Sequence, residues 1–283
     1  MRPARSWRSC AACRAAPPPR WPARCWSTSA RAARWRRSSP GRTARWCSAA
    51  GLRPPSRCGS SGWRRWAAFP VVPGRRWGPG WWWSATTGRH VMHGSQAMCT
   101  QLMILDRDPQ VVALSARPVR LIWHDPGSGR ALTWVPQLFA RYADRGALLA
   151  DCPAATAPVG DRAERAVAVL EAACEAVGFT YRRLAPPEMV VAANVRWLAG
   201  YRHPRHRDAG GLEQAVLEAF AAERPLMAGA AAAGEVLTAL PVLYHALWSG
   251  RPAADLTRPL GEHTLVSPGP AAGDGKRREQ QES

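Results

Sequence analysis

Trp134-Val135-Pro136-Gln137-Leu138-Phe139-Ala140-Arg141-Tyr142, then Ala143-Asp144-Arg145-Gly146, then Ala147-Leu148-Leu149-Ala150-Asp151-Cys152-Pro153 is the stretch whose reading decides the fold. Apolar and polar side chains alternate on both arms, the period of a pleated strand, and the four middle residues suit a turn. The stretch reads as a β-hairpin. Just ahead of it lie three more short runs of strand formers, Val111 to Ser115, Val119 to His124 and Ala131 to Val135. Asp125-Pro126-Gly127-Ser128-Gly129 supplies a turn between two of them, so the simplest expectation is a meander of antiparallel strands.

Helices bracket these strands. Before them, Ser95 to Leu105 carries Met98, Leu102, Met103 and Leu105 at helical spacing, and Pro109 follows as a stop. Farther upstream, Phe69 to Val91 reads as an extended lead-in broken by turns. After the hairpin, Asp161 to Val177 presents Ala163, Ala166, Val167, Leu170, Ala173 and Val177 on one face, with Gly178 as cap. Phe179 to Leu184 returns as a strand, and Pro186-Pro187 precedes a helix through Leu198. A sheet between helices is a mixed α/β domain. His203 to Gly211 is a polar, glycine-bearing break. Beyond it, helices over Leu212 to Ala222 and Glu235 to Trp248, with two extended pieces around Pro259-Leu260-Gly261, suggest a small winged-helix-like unit. The domain reading is therefore 1–68, 69–205, 206–266 and a disordered tail, 267–283.

Charge is distributed unevenly over the 283 residues. Residues 1–105 contain 19 Arg and no acid, whereas residues 106–283 balance 20 basic residues against 20 acids. Pairings such as Trp63-Arg64-Arg65 could bring arginine to phosphates and tryptophan to bases. Yet Arg, Ala, Pro, Trp, Gly and Cys without acids is also what a GC-rich coding sequence yields out of frame. Residues 1–68 are accordingly read as low-complexity, disordered or mis-framed. Cys10 and Cys13 form a Cys-x-x-Cys with no second pair at ligand spacing, and Cys99, Cys152 and Cys174 suit reduced thiols. Arg residues interrupt every apolar run near the start, which argues against a signal peptide. Leu226 to Trp248 is long enough to span a bilayer, but Glu235, Pro241 and His245 favour a packed helix pair, so no membrane partner and a cytoplasmic location are expected.

Several linked segments resemble actinobacterial TnsA-like proteins, the endonuclease subunits of heteromeric transposases. They are the lead-in Trp82-Trp83-Ser84-Ala85-Thr86-Thr87-Gly88-Arg89-His90, the run Leu102 to Pro109, and Ala193-Asn194-Val195-Arg196-Trp197-Leu198-Ala199-Gly200-Tyr201-Arg202-His203-Pro204-Arg205. Trp123-His124-Asp125, the hairpin and Leu240 to Gly250 agree in order, so the resemblance covers about Phe69 to Val266. It implies a restriction-endonuclease-like mixed sheet flanked by helices, Mg²⁺-dependent cutting at transposon ends, and as partners DNA, a TnsB-like transposase and a TnsC-like ATPase. Such chemistry needs carboxylates to hold the metal and a basic residue to stabilise the charge that develops on the phosphate.

Carried over by position, Met98 stands where the family has a Glu and Gln137 where it has an Asp. Asp151 remains as the third ligand, followed by Cys152-Pro153 in place of a base. One carboxylate of three is left, and a lone carboxylate is a poor Mg²⁺ site. Losing the basic residue removes stabilisation typically worth about 10²-fold in rate. The expectation is a TnsA-like scaffold with a degenerate centre. Its alternatives are a non-catalytic DNA- or transposase-binding descendant and a decayed reading frame. Arg202, Arg205 and Arg207 form a basic cluster read as the DNA contact. Trp197 reads as core, His124 and Asp125 as turn residues, and Glu164 as a substitute carboxylate or a helix-dipole partner. No Gly-rich phosphate loop, Ser/His/Asp triad or heme motif is evident.

Overall fold

A computed structural model describes residues 44–48, 69, 78–125, 129–153 and 161–269, with backbone alone at 44–48 and 161–163. The arms of the hairpin are β7 (Leu138–Tyr142) and β8 (Ala147–Asp151), in register from Leu138 opposite Ala150 to Arg141 opposite Ala147. Its turn closes where the Tyr142 N–H reaches the Gly146 carbonyl at 2.9 Å. The Asp144 carboxylate accepts from the Gly146 N–H at 2.7 Å. Arg145 there adopts φ 73°, a left-handed conformation that favours glycine.

Around the hairpin lies a four-stranded mixed sheet in the order β4-β7-β8-β9. β4 (Val111–Ala116) pairs antiparallel with β7, and β9 (Thr180–Arg183) runs parallel to β8. The parallel step needs a crossover, supplied by α2 (Asp161–Glu175), which closes at Gly178 with φ 72°. Helix α1 (Gln96–Arg107) starts at Ser95, whose hydroxyl accepts from the Met98 N–H at 3.1 Å. It packs on the other face of the sheet with α3 (Met189–Leu198). Leu138, Ala140, Leu148 and Ala150 belong to the core on the α1 side. Phe139, Ala147, Leu149 and Tyr181 belong to the core on the α2 side, with Ala166, Leu170 and Cys174. Covering both faces explains why all five residues of β8 are buried.

The strand positions expected from sequence hold, but the meander does not. β5 (Val119–His124) and β6 (Ala131–Trp134) leave the central sheet and pair with each other. β5 also pairs with β1 (Ala44–Ser48), a strand within the segment expected to lack regular structure. Val119, Leu121 and Trp123 fill the α2-side core from this second sheet. The hairpin of β2 (Gly80–Ser84) and β3 (Arg89–His93) folds over the end of α1. There the buried Asp106 carboxylate accepts from Trp82 Nε1 (2.9 Å), Ser84 Oγ (2.6 Å), and the Ala85 and Thr86 N–H groups (2.9 and 3.0 Å).

Past residue 205 the chain forms α4 (Glu213–Ala219), β10 (Arg224–Pro225), α5 (Leu226–Ala233), α6 (Val236–Trp248), β11 (Pro252–Ala254) and β12 (Leu265–Pro268). The three strands lie in the order β10-β12-β11. The boundary expected at 205 does not divide the core. Val216, Phe220, Val242, Leu243 and Leu247 are buried in one cluster with Met98, Leu102 and Leu198. Trp82 meets Trp248 at 6.3 Å between ring centroids, and Arg107 Nη2 donates to the Leu247 carbonyl at 3.2 Å. Asn194 of α3 donates to the Leu256 and Arg258 carbonyls (2.9 and 2.7 Å) and accepts from the Leu260 N–H (3.2 Å). No single helix among the described residues is long and apolar enough to cross a membrane. α5 and α6 meet at a 117° bend and contribute to this core.

Candidate functional site

Asp151 closes β8 and turns its carboxylate toward the α2 side of the sheet. Trp134 Nε1 donates to Oδ2 at 2.7 Å, the Tyr181 hydroxyl donates to the same oxygen at 2.7 Å, and the Gln137 N–H donates to Oδ1 at 3.1 Å. These donors come from β6, from β9 and from the segment entering β7, so the carboxylate ties three pieces of chain together. Burial pushes the Asp151 carboxyl above its usual range, against the three donors and the positive charge of Arg183. The same burial, with Asp151 beside it, raises the Tyr181 phenol well above its usual range, so it stays a donor. Beside them, burial pushes the Cys152 thiol up to about 12, so it is inert as a nucleophile.

Of the three positions carried over from the family pattern, the fold brings two together. Gln137 touches Asp151 through its backbone, while its side-chain Oε1 accepts from the Cys152 N–H at 2.8 Å. Met98 lies on the other side of the sheet, fully buried in the α1-side core, where its sulfur accepts from the Gly94 N–H at 3.4 Å. The group set does not suit Mg²⁺. Hard cations need oxygen donors, yet the Gln137 oxygen is committed to the backbone, both Asp151 oxygens already accept hydrogen bonds, and Met98 offers a thioether. The residues that follow Asp151 are Cys152 and Pro153, neither of them basic. The parallel register instead sets Arg183 opposite Asp151, on the same face as Tyr181. That neighbour comes from a crossover strand, so spacing along the chain does not reveal it.

The three arginines of the basic cluster take different roles. Arg202 is half-buried and acts inward. Its guanidinium lies 3.8 Å from the Trp82 ring centroid, and it donates to the Trp83 carbonyl (2.9 Å) and the Ala199 carbonyl (2.6 Å). Arg207 pairs with Glu213 at 3.1 Å, and Arg251 pairs with the same carboxylate. Partial burial would raise the Glu213 carboxyl, but the two arginines hold it below its usual value. Arg205 is exposed, its Nε donating to His206 Nε2 at 3.0 Å. Trp197, expected in the core, is 56 % exposed, because α3 buries Asn194, Val195 and Leu198 instead. His124 is exposed at the end of β5, and Glu164 is exposed on α2. Asp106 is a structural centre that residue patterning alone does not single out. Its one local signal is its place as the sole acid in the apolar stretch Leu102 to Asp106.

No known family model matches the chain, and no curated protein matches it.

Proposed function

We propose that this chain is a TnsA-like subunit of a heteromeric transposase whose nuclease centre has become a structural hydrogen-bond node. In this reading it joins a TnsB-like transposase on transposon-end DNA without cutting, and a TnsC-like ATPase is its further partner. The order α1-β4-β7-β8-α2-β9 around a four-stranded mixed sheet supports it, being the wiring expected of a restriction-endonuclease-like core. The order α4-β10-α5-α6-β11-β12 with strands β10-β12-β11 likewise fits a winged helix. Its third helix, α6, contains no Lys or Arg and is buried along most of its length, so groove reading is assigned elsewhere.

The single observation that carries the reading is the saturation of Asp151 by three donors where a metal ligand is expected. Transposon-end DNA incubated with this chain, the partner transposase and Mg²⁺ or Mn²⁺ is expected to be bound and left uncut at this subunit's strand. Robust cutting that Asp151→Ala abolishes overturns the reading. It would favour a second one, a residual endonuclease in which Arg183, across from Asp151, supplies the positive charge that stabilises the developing phosphate charge.

A further inference from the structure

A row of aromatic rings crosses the seam between α3 and α6 on the outside of the molecule. Trp197 meets Tyr244 edge-on at 6.0 Å between centroids and Tyr201 at 6.1 Å. Tyr201 lies 4.9 Å from Tyr244 and 5.4 Å from His206. Such rings are ordinarily turned inward, because burying one stabilises a fold by about 1.5–3 kcal/mol. Here Trp197 keeps more than half its surface in solvent, and Tyr201, Tyr244 and His206 are only partly covered.

Two arginines accompany the row: Arg196, exposed and next to Trp197 along α3, where its charge also acts on Cys99 of α1, and Arg205, hydrogen-bonded to His206. Among the described residues neither arginine pairs with a carboxylate. The nearby acids are committed elsewhere: Glu213 to Arg207 and Arg251, Asp208 to the Glu213 N–H, and Glu235 to the N-terminus of α6. Burial, then the charges of Arg205, His245 and His203, lowers the His206 pKa, which favours the neutral ring whose Nε2 accepts from Arg205.

We propose that the Trp197, Tyr201, Tyr244 and His206 rings, flanked by Arg196 and Arg205, bind single-stranded nucleic acid. Bases stack on Trp197 and phosphates contact the two arginines. Flat exposed rings accept any base, and unpaired arginines beside them complement the backbone charge. A duplex keeps its bases stacked on one another, so this surface prefers a strand with free bases. The inference does not depend on the transposase reading.

The test is fluorescence anisotropy of an oligodeoxythymidylate of about 15 nucleotides, within the span such surfaces cover, with the full chain. Because 19 arginines precede residue 106, polyphosphate serves as a polyanion without bases. Trp197→Ala is expected to weaken oligonucleotide binding about tenfold, leave polyphosphate binding and the far-UV circular dichroism at the assay temperature unchanged, and be largely rescued by Trp197→Phe. Arg196→Gln with Arg205→Gln is expected to reduce the salt slope by about 1.4. Three results overturn the proposal: parental oligonucleotide affinity in Trp197→Ala, equal loss of oligonucleotide and polyphosphate, or Trp197-dependent capture of a proline-rich peptide without the oligonucleotide.

Discussion

Asp151 shows how little the identity of one residue says about its work. The same carboxylate at the end of a strand could hold a metal or accept hydrogen bonds, and the difference lies in Trp134 and Tyr181, 17 and 30 positions away. Asp151→Ala removes the acceptor for two side-chain donors and one backbone N–H, so it is expected to cost about 3 kcal/mol of stability, measured by urea unfolding. Asp151→Asn puts a neutral amide of the same shape in place of the carboxyl and serves as the reference that carries no proton equilibrium. Burial raises the Asp151 carboxyl in the folded chain. Its contribution is therefore fully present below the unfolded-chain value of about 3.9 and is lost as pH rises through the raised folded value. Asparagine does not titrate. The stability gap between the parent and Asp151→Asn is thus expected to be widest at about pH 4 and to narrow toward neutrality; a gap that widens with pH would contradict the raised carboxyl.

The β7–β8 hairpin, α1, α2 and α3 were legible within a few residues because each carries its own local signal: short apolar runs either side of an Asp-Arg-Gly turn, an N-cap serine, a cap glycine or a proline pair before the first turn. Strand partners were not legible. β4 is followed by Arg117 at φ 48° and then by β5, yet it pairs with β7, since the β5–β6 hairpin leaves for a second sheet built on β1. Nothing in the composition of either strand distinguishes those pairings, which depend on which faces remain to be covered. A comparable non-local constraint acts on α5, where a Cβ added at Gly229 would overlap the Phe220 ring. That ring is itself 1 % exposed and has no room to yield. Gly229→Ala, favourable by helix propensity alone, is therefore expected to destabilise the protein by about 1–3 kcal/mol in thermal or urea unfolding.

Across the whole molecule, the α1-side core runs without a break from Trp82 and Met98 through α3 to α6 and β12. A chain ending at residue 205 would uncover Leu102, Val195 and Leu198, take Trp248 from Trp82 and remove the partners of Asn194. It is expected to be protease-sensitive, and the intact protein to unfold residues 78–269 in one denaturant transition; two separable transitions, or a protease-resistant 69–205 fragment, would show independent domains. The sequence by itself determined most element types beyond residue 78, the α/β class, the confinement of the basic excess to the first 105 residues, and the thioether at Met98 and amide at Gln137, because propensity, charge and residue identity are local properties. The tertiary structure alone decided that Met98 and Asp151 face opposite sides of the sheet, that Arg202 points inward while Trp197 points out, and that the C-terminal helices share one core with α1. Each of these depends on which surfaces meet across distances that no window of sequence contains.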